Sequence, residues 1–232
     1  IQARTHTGYK RQRNEDRYLI QPLENEAGIL LAVADGMGGV AGGDIAAQIV
    51  VDTLKEYRKP GRDIEHDLAL ILDRAGRTII EKTDEQPDLK DMGTTATVAL
   101  LTKQQAYWVH SGDSRLYVKQ GGKIRQITTD HTFVQDLIQD GTLTQKEAER
   151  HPLKNVLDQC VGCAELKPDS GRLPFGPGER LLLCSDGLSR YVSQEAISKA
   201  LDGKEAGEIA DRLVRSALEA GGRDNVTVVV LI

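Results

Sequence analysis

Two short strings set the first constraint on this chain. Leu30-Leu31-Ala32-Val33-Ala34-Asp35-Gly36 and Leu181-Leu182-Leu183-Cys184-Ser185-Asp186-Gly187 are each an apolar, strand-like run that stops at Asp-Gly. If both strands sit in one core, both carboxylates project from strand ends. A carboxylate in or beside a core is costly unless a cation compensates it. Two such ends in one chain point to a metal site.

The rest of the composition fits a globular protein. The 232 residues are 39% hydrophobic and 28% charged, enough to bury a sizeable core. With 2 Phe and 1 Trp, that core must be filled by Leu, Val, Ile and Ala. A net charge of -5 argues against a general nucleic-acid binder. Arg4, Lys10, Arg11, Arg13 and Arg17 cluster near the start, where charge alone reads as a solvated face. No run approaches the roughly 18 apolar residues of a membrane span, and no signal peptide is visible. The 3 cysteines do not indicate a disulfide framework. Cys160-Val161-Gly162-Cys163 lacks the second ligand pair of a zinc site and the fold context of a redox motif. The expected setting is a cytoplasmic monomer. The chain begins at Ile1 and ends inside an apolar run, as a trimmed chain or a domain cut from a longer protein would.

Strand patterns recur along the chain. Thr94 to Thr102 and Gln105 to Val109 form one expected hairpin around Lys103-Gln104. Arg115 to Lys119 and Lys123 to Ile127 form a second around Gln120-Gly121-Gly122. Arg17 to Ile20, Leu30 to Ala34, Arg180 to Ser185 and Asn225 to Ile232 complete the strands. Helical spacing falls over Asp44 to Arg58, with Asp44 near the cap, and over Ile64 to Lys82. It returns over Gln194 to Leu201, capped by Ser193, and over Glu205 to Ala220, stopped by Gly221-Gly222. This order reads as α+β, with helices outside antiparallel sheets in a single domain, residues 1–232. Residues 130–163 interrupt it with short helical pieces around Gly141 and Pro152, an insertion of the kind that often carries function.

Further acids stand at expected strand ends: Asp113 at a turn, Asp224 before the last strand, and Glu15 and Asp16 before Arg17. Hard carboxylate oxygens suit Mg²⁺ or Mn²⁺ rather than Zn²⁺. A single Asp-Gly is first of all a turn signal. Acids at five strand ends need a joint explanation, and the residues alone lead to a divalent-metal site for hydrolysis or phosphoryl transfer.

The ordered strings go further. Gly8-x-x-Arg11-x-x-Asn14-Glu15-Asp16, Asp35-Gly36-Met37-Gly38-Gly39, Gly93-Thr94-Thr95, Ser111-Gly112-Asp113-Ser114-Arg115, Ser185-Asp186-Gly187 and Asp224-Asn225-Val226-Thr227 follow one another along the chain. This set resembles the bacterial branch of the metal-dependent PP2C (PPM) serine/threonine phosphatases, from Gly8 to Val230. The resemblance implies a four-layer α/β/β/α sandwich: two central antiparallel sheets flanked by helix pairs. It implies two Mn²⁺ or Mg²⁺ ions at one end. Asp35 would bridge them, the Gly36 carbonyl would ligate one, and Asp186 and Asp224 would ligate the other. Glu15 and Asp16 would hold metal-bound waters, and Asp113, sharing Asp186, would help bind a third, weaker ion. Arg11 matches the phosphate-binding arginine, whose planar fork suits two phosphoryl oxygens at once. The implied reaction is hydrolysis of phosphoserine and phosphothreonine by a hydroxide bridging the ions, reversing a cognate kinase. A pseudophosphatase would be expected to lose ligands, and every matched acid is present.

One position departs from the wider family. Met37 stands where eukaryotic members usually carry the histidine proposed as general acid, and it cannot donate a proton. His131 and His151 fall in the insertion, which matches the family's flap, and read first as structural or solvated. His110 reads as a core or supporting residue. Gly38-Gly39-Val40-Ala41-Gly42-Gly43 lacks the pattern of a nucleotide loop and reads as a tight turn around the metal centre. Lys154-Asn155-Val156-Leu157 matches a family segment after the flap, but Asp158-Gln159-Cys160-Val161 departs from its usual continuation.

Overall fold

The apolar runs become central strands because both of their faces are covered. The computed structural model describes residues 1–38 and 42–232. In β3 (Ile29–Met37), Leu30, Ala32 and Ala34 pack in one core cluster, and the alternate residues Leu31 and Val33 pack in another. In β10 (Arg180–Cys184), Leu182 and Cys184 join a third cluster, while Leu181 and Leu183 share the one that holds Leu31 and Val33. Period-two alternation therefore sends one face of each strand to helices and the other to the opposite sheet.

Three clusters between layers make four layers. One sheet runs β1 (Gln2–His6), β11 (Val226–Leu231), β10, β7 (Arg115–Gln120), β8 (Lys123–Gln126). The other runs β2 (Asp16–Pro22), β3, β5 (Ala96–Leu101), β6 (Gln105–Ser111), β9 (Asp169–Pro174), with the two-residue β4 (Gly93–Thr94) paired to β3. All pairings are antiparallel. Helices α1 (Gly43–Lys55) and α2 (Ile64–Glu85) cover the second sheet through Val50, Leu54, Leu68 and Leu72. In the insertion lie α3 (Phe133–Gln139) and α4 (Gln145–Ala148), and the short α5 (Asp186–Ser189) follows β10 directly. Helices α6 (Gln194–Ala200) and α7 (Ala206–Glu219) cover the first sheet through Ile197, Ile209 and Leu213. This is the α/β/β/α sandwich expected from the sequence. Among the described residues, no helix is long and apolar enough to cross a membrane.

Four local expectations change. Asp44 does not cap α1: the cap is Gly42, and Asp44 instead lies 3.8 Å from Arg17. The strand expected over Thr94 to Thr102 breaks at Thr95, because β4 pairs with the end of β3 while β5 pairs further back. Strands β1 and β9 have no apolar run to announce them. Cys160 and Cys163 form a disulfide rather than two thiols. A turn closed by Cys163 N–H on the Cys160 carbonyl at 3.2 Å, with Gly162 at φ 98°, brings their Cα atoms to 5.3 Å, within disulfide range. The Gly38 to Gly43 turn lies partly outside the described residues.

Leu182 is fully buried between β10 and the α6/α7 pair. Leu182→Ala is expected to destabilise the protein by about 2–5 kcal/mol, read as a lower urea midpoint with an unchanged slope.

Candidate active site

The sandwich brings the strand-end acids to one end. Asp16 opens β2, and its antiparallel partner in register is Asp35 of β3. Asp186 starts α5 immediately after β10, Asp224 precedes β11, and Asp113 lies in the turn between β6 and β7. A cavity of about 350 Å³ is lined by Glu15, Asp35, Asp113, Asp186 and Asp224, with Arg11 and Arg190. Asp16, 3% exposed, lies beneath them.

Each acid is held by short-range chemistry that the sequence strings encode. A Cβ on Gly36 would collide with the Gly43 carbonyl, and one on Gly187 with the Asn225 carbonyl, so both Asp-Gly pairs mark close backbone approaches. Asp35 N–H donates to Thr95 Oγ1 at 3.0 Å, and Thr94 Oγ1 donates to the Asp35 carbonyl at 2.9 Å. Ser185 Oγ donates to Asp16 Oδ2 at 2.7 Å and accepts from Thr227 N–H at 2.9 Å, tying the two sheets together at the site. Asn225 Oδ1 accepts from Glu15 N–H at 2.8 Å. Its Nδ2 donates to the carbonyls of Thr7 and Arg13 at 2.8 and 2.9 Å, which fastens the loop bearing Arg11 to β11.

The acids are poorly compensated. Burial pushes Asp16 up to about 6 and Asp186 up to about 7. Asp35 is held well above the usual carboxylate range by burial first, then by the charges of Asp16, Asp186, Asp113 and Asp224. Glu15 is raised by burial and then by Asp44, and Asp113 by burial against the opposing pull of Arg190. Two arginines answer part of this charge. Arg11 grips Asp224 through Nε to Oδ1 and Nη2 to Oδ2, each 2.8 Å. Arg190 reaches both Asp113 and Asp186. Asp16 Oδ1 and Asp186 Oδ1 are buried and have no hydrogen-bond partner among the described residues.

Unpartnered, buried, hard oxygens beside a carboxylate cluster fit a divalent cation such as Mg²⁺ or Mn²⁺. Among the described residues, however, no three His, Cys, Asp or Glu side chains close around one cation position. The arginines hold the outer acids, Asp113, Asp186 and Asp224.

The family model described as protein phosphatase 2C matches residues 5–220. The chain belongs to that family. The serine/threonine protein phosphatase PstP of Mycobacterium tuberculosis is 41% identical over 98% of this chain and 44% of its own length. This chain thus spans less than half of that relative. The serine/threonine phosphatase Stp of Listeria welshimeri is 34% identical over 98% of this chain and 93% of its own. A crystal structure of the PstP catalytic domain in complex with two manganese ions superposes with a TM-score of 0.88, at 40% identity, covering 99% of this chain and 95% of that one.

Within this PP2C fold the structure gathers Arg11, Glu15, Asp16, Asp35, Gly36, Asp113, Asp186 and Asp224 at one end. His131 and His151 do not line the cavity. His131 packs behind the site on His110, with ring centroids 4.8 Å apart, and His151 lies against Phe133 on the flap. His110 is enclosed between Thr97 Oγ1 at 2.9 Å and the Thr129 carbonyl at 3.0 Å. Burial, then the neighbouring His131, lowers it to about 3, so it stays neutral. Met37 lines the cavity, as sequence position implied. Arg190 and the bracing roles of Ser185, Thr95 and Asn225 escaped sequence reasoning. Only the i, i+4 spacing of Asp186 and Arg190 offered a signal.

In the unfolded chain Asp16 and Asp186 ionise near the ordinary 3.8, whereas in the fold they hold protons to about 6 and about 7. The folded state then binds more protons across that window, so these groups lower stability as pH rises from about 4 to about 7. In excess chelator, Asp186→Asn is expected to raise the urea midpoint at about pH 7.5 and to leave it unchanged near pH 4.

Proposed function

We propose that residues 1–232 act as a protein serine/threonine phosphatase domain, dependent on Mn²⁺ or Mg²⁺, that hydrolyses phosphoserine and phosphothreonine esters. One observation carries this reading: Asp16, Asp35, Asp186 and Asp224 arrive from four separate stretches of the chain at one end of the sandwich, and two of their buried oxygens lack partners among the described residues. The two manganese ions of the PstP structure support the same assignment. Asp35 with the Gly36 carbonyl, and Asp186 with Asp224, would hold two ions directly, with Glu15 and Asp16 acting through water. Bound ions supply positive charge opposite the phosphoryl oxygens and lower the pKa of water toward neutrality.

The chain's own residues do the rest. Arg11, its side chain 52% exposed on a loop, exchanges Asp224 for two phosphoryl oxygens when substrate enters. The Asn225 clamp keeps that loop over the cavity. Asp16, opposite Asp35 in the ladder, accepts the Ser185 hydroxyl on Oδ2, which leaves Oδ1 to act through water. Phosphorylated proteins are the substrates, and a cognate serine/threonine kinase is the opposing activity.

Hydrolysis of p-nitrophenyl phosphate and of phosphothreonine peptides is expected with Mn²⁺ or Mg²⁺; turnover that survives excess EDTA would overturn the proposal. Asp224→Ala is expected to lower kcat by about 100-fold or more. Arg11→Ala is expected to raise KM about tenfold with a smaller change in kcat, the loss of a charged hydrogen-bonding pair to substrate.

A further inference from the structure

Asp113 and Asp186 are the two acids that the family resemblance assigns to a third, weaker ion. In this chain a side chain already stands between them. We infer that Arg190 is a resident cation that takes the place of that ion, so that the centre works with two metal ions and one guanidinium. The inference rests on the metal-dependent reading proposed above.

The contacts are those of a bridge. Arg190 Nη2 lies 2.5 Å from Asp113 Oδ2, and Nη1 lies 2.8 Å from Asp186 Oδ2. One nitrogen serves each carboxylate, so a single planar group joins an acid from the β6–β7 turn to an acid from α5. Both acids are nearly closed to solvent, with side chains 6% and 11% exposed, so the positive charge acts where water screens little. Arg115, the other arginine near Asp113, is committed to Asp130 through Nε at 2.8 Å and Nη2 at 2.6 Å.

The pairing is also built into the local chain. Arg190 follows Asp186 by four residues, and its N–H donates to the Asp186 carbonyl at 2.9 Å, so one helical turn sets their separation. That turn is pinned by fully buried Leu188 and by the close approach of Gly187 to the Asn225 carbonyl. Arg190 differs here from Arg11: its side chain is 27% exposed against 52%. Arg11 sits on a loop and grips one acid, which it can release. Arg190 grips two, and leaving would strip each of them of an ion pair. A divalent ion drawn to the same pair would meet a guanidinium already at contact distance from both oxygens, and like charges at that range repel strongly. A covalently held charge is present at every metal concentration, whereas a weak third ion is present only when the metal is abundant. Arg190 also lines the adjoining groove beneath the flap, with Lys154 and Arg223, so it positions the boundary between the acid cluster and that groove.

The test counts ions. Metal-free protein is titrated with Mn²⁺, and binding is followed calorimetrically and by the electron paramagnetic resonance signal of free Mn²⁺. The parent is expected to bind about two ions. Arg190→Ala is expected to gain one, and the double variant Arg190→Ala/Asp113→Ala to lose it again, because the freed acid pair becomes an oxygen site for a hard cation. Arg190→Lys is expected to stay with the parent count, which separates charge from fold damage. A parent that binds three ions overturns the inference and leaves the proposed function standing. A parent that binds none overturns both. Arg190→Ala with the parent count overturns the inference alone; if that variant does not fold, Arg190→Gln supplies the same count.

Discussion

Asp16 and Asp35 face each other across the β2/β3 ladder, and the rest of the site is arranged around that unfavourable pair. Like charges directly opposite in a sheet destabilise it, and burial makes the cost larger. Nothing in the strand pairing relieves this, since the same register that opposes the two acids also buries Leu31 and Val33 of β3. Shifting β2 by one residue would separate the carboxylates but turn its inward residues to the wrong face. The acids are therefore held in place by the core behind them, and their charge must be met from outside the ladder: by Ser185, by the arginines, and by the cations that the unpartnered oxygens can accept.

The sandwich supplies what one sheet could not. Asp16 and Asp35 belong to one sheet, Asp186 and Asp224 to the ends of β10 and β11 in the other. Their meeting depends on the shared cluster of Leu31, Val33, Leu116, Leu181, Leu183 and Val229, which sets the distance between the sheets. The hydrogen bond from Ser185 to Asp16 and the Asn225 clamp lock that distance at the site itself. Stability made in the middle of the molecule is lost at its end, a common trade at functional sites.

Much of this was legible in the sequence, and what was not has a physical reason. The runs ending at Asp35 and Asp186 announced central strands because both faces of each are buried. Strands β1 and β9 stayed hidden: both are sheet edges with polar or charged residues such as Gln2, Arg4, Asp169 and Arg172, and their pairing is decided by the neighbour strand. Asp44 looked like a cap by residue type, but Arg17 of the adjacent strand competes for it. The ordered motifs located the acids, yet not their partners. That Arg190 serves Asp113 as well as Asp186 could not be read from spacing, since 77 residues separate Arg190 from Asp113.

Met37 shows how a missing chemical group can reflect packing. Thr94 and Val161 pair backbone to backbone at 3.0 and 2.8 Å, joining the far end of the flap to β4, and β4 pairs with Gly36 and Met37. On the side of Gly93 where a Cβ would stand lie Cys160 Sγ and the Met37 methyl. The disulfide turn, the flap end and the residue after Asp35-Gly36 thus share one apolar contact. A thioether fills such an irregular gap well, and an imidazole there would bring two ring nitrogens needing partners against sulfur and glycine. Position 37 in this chain therefore packs between the end of the flap and the strand that carries Asp35.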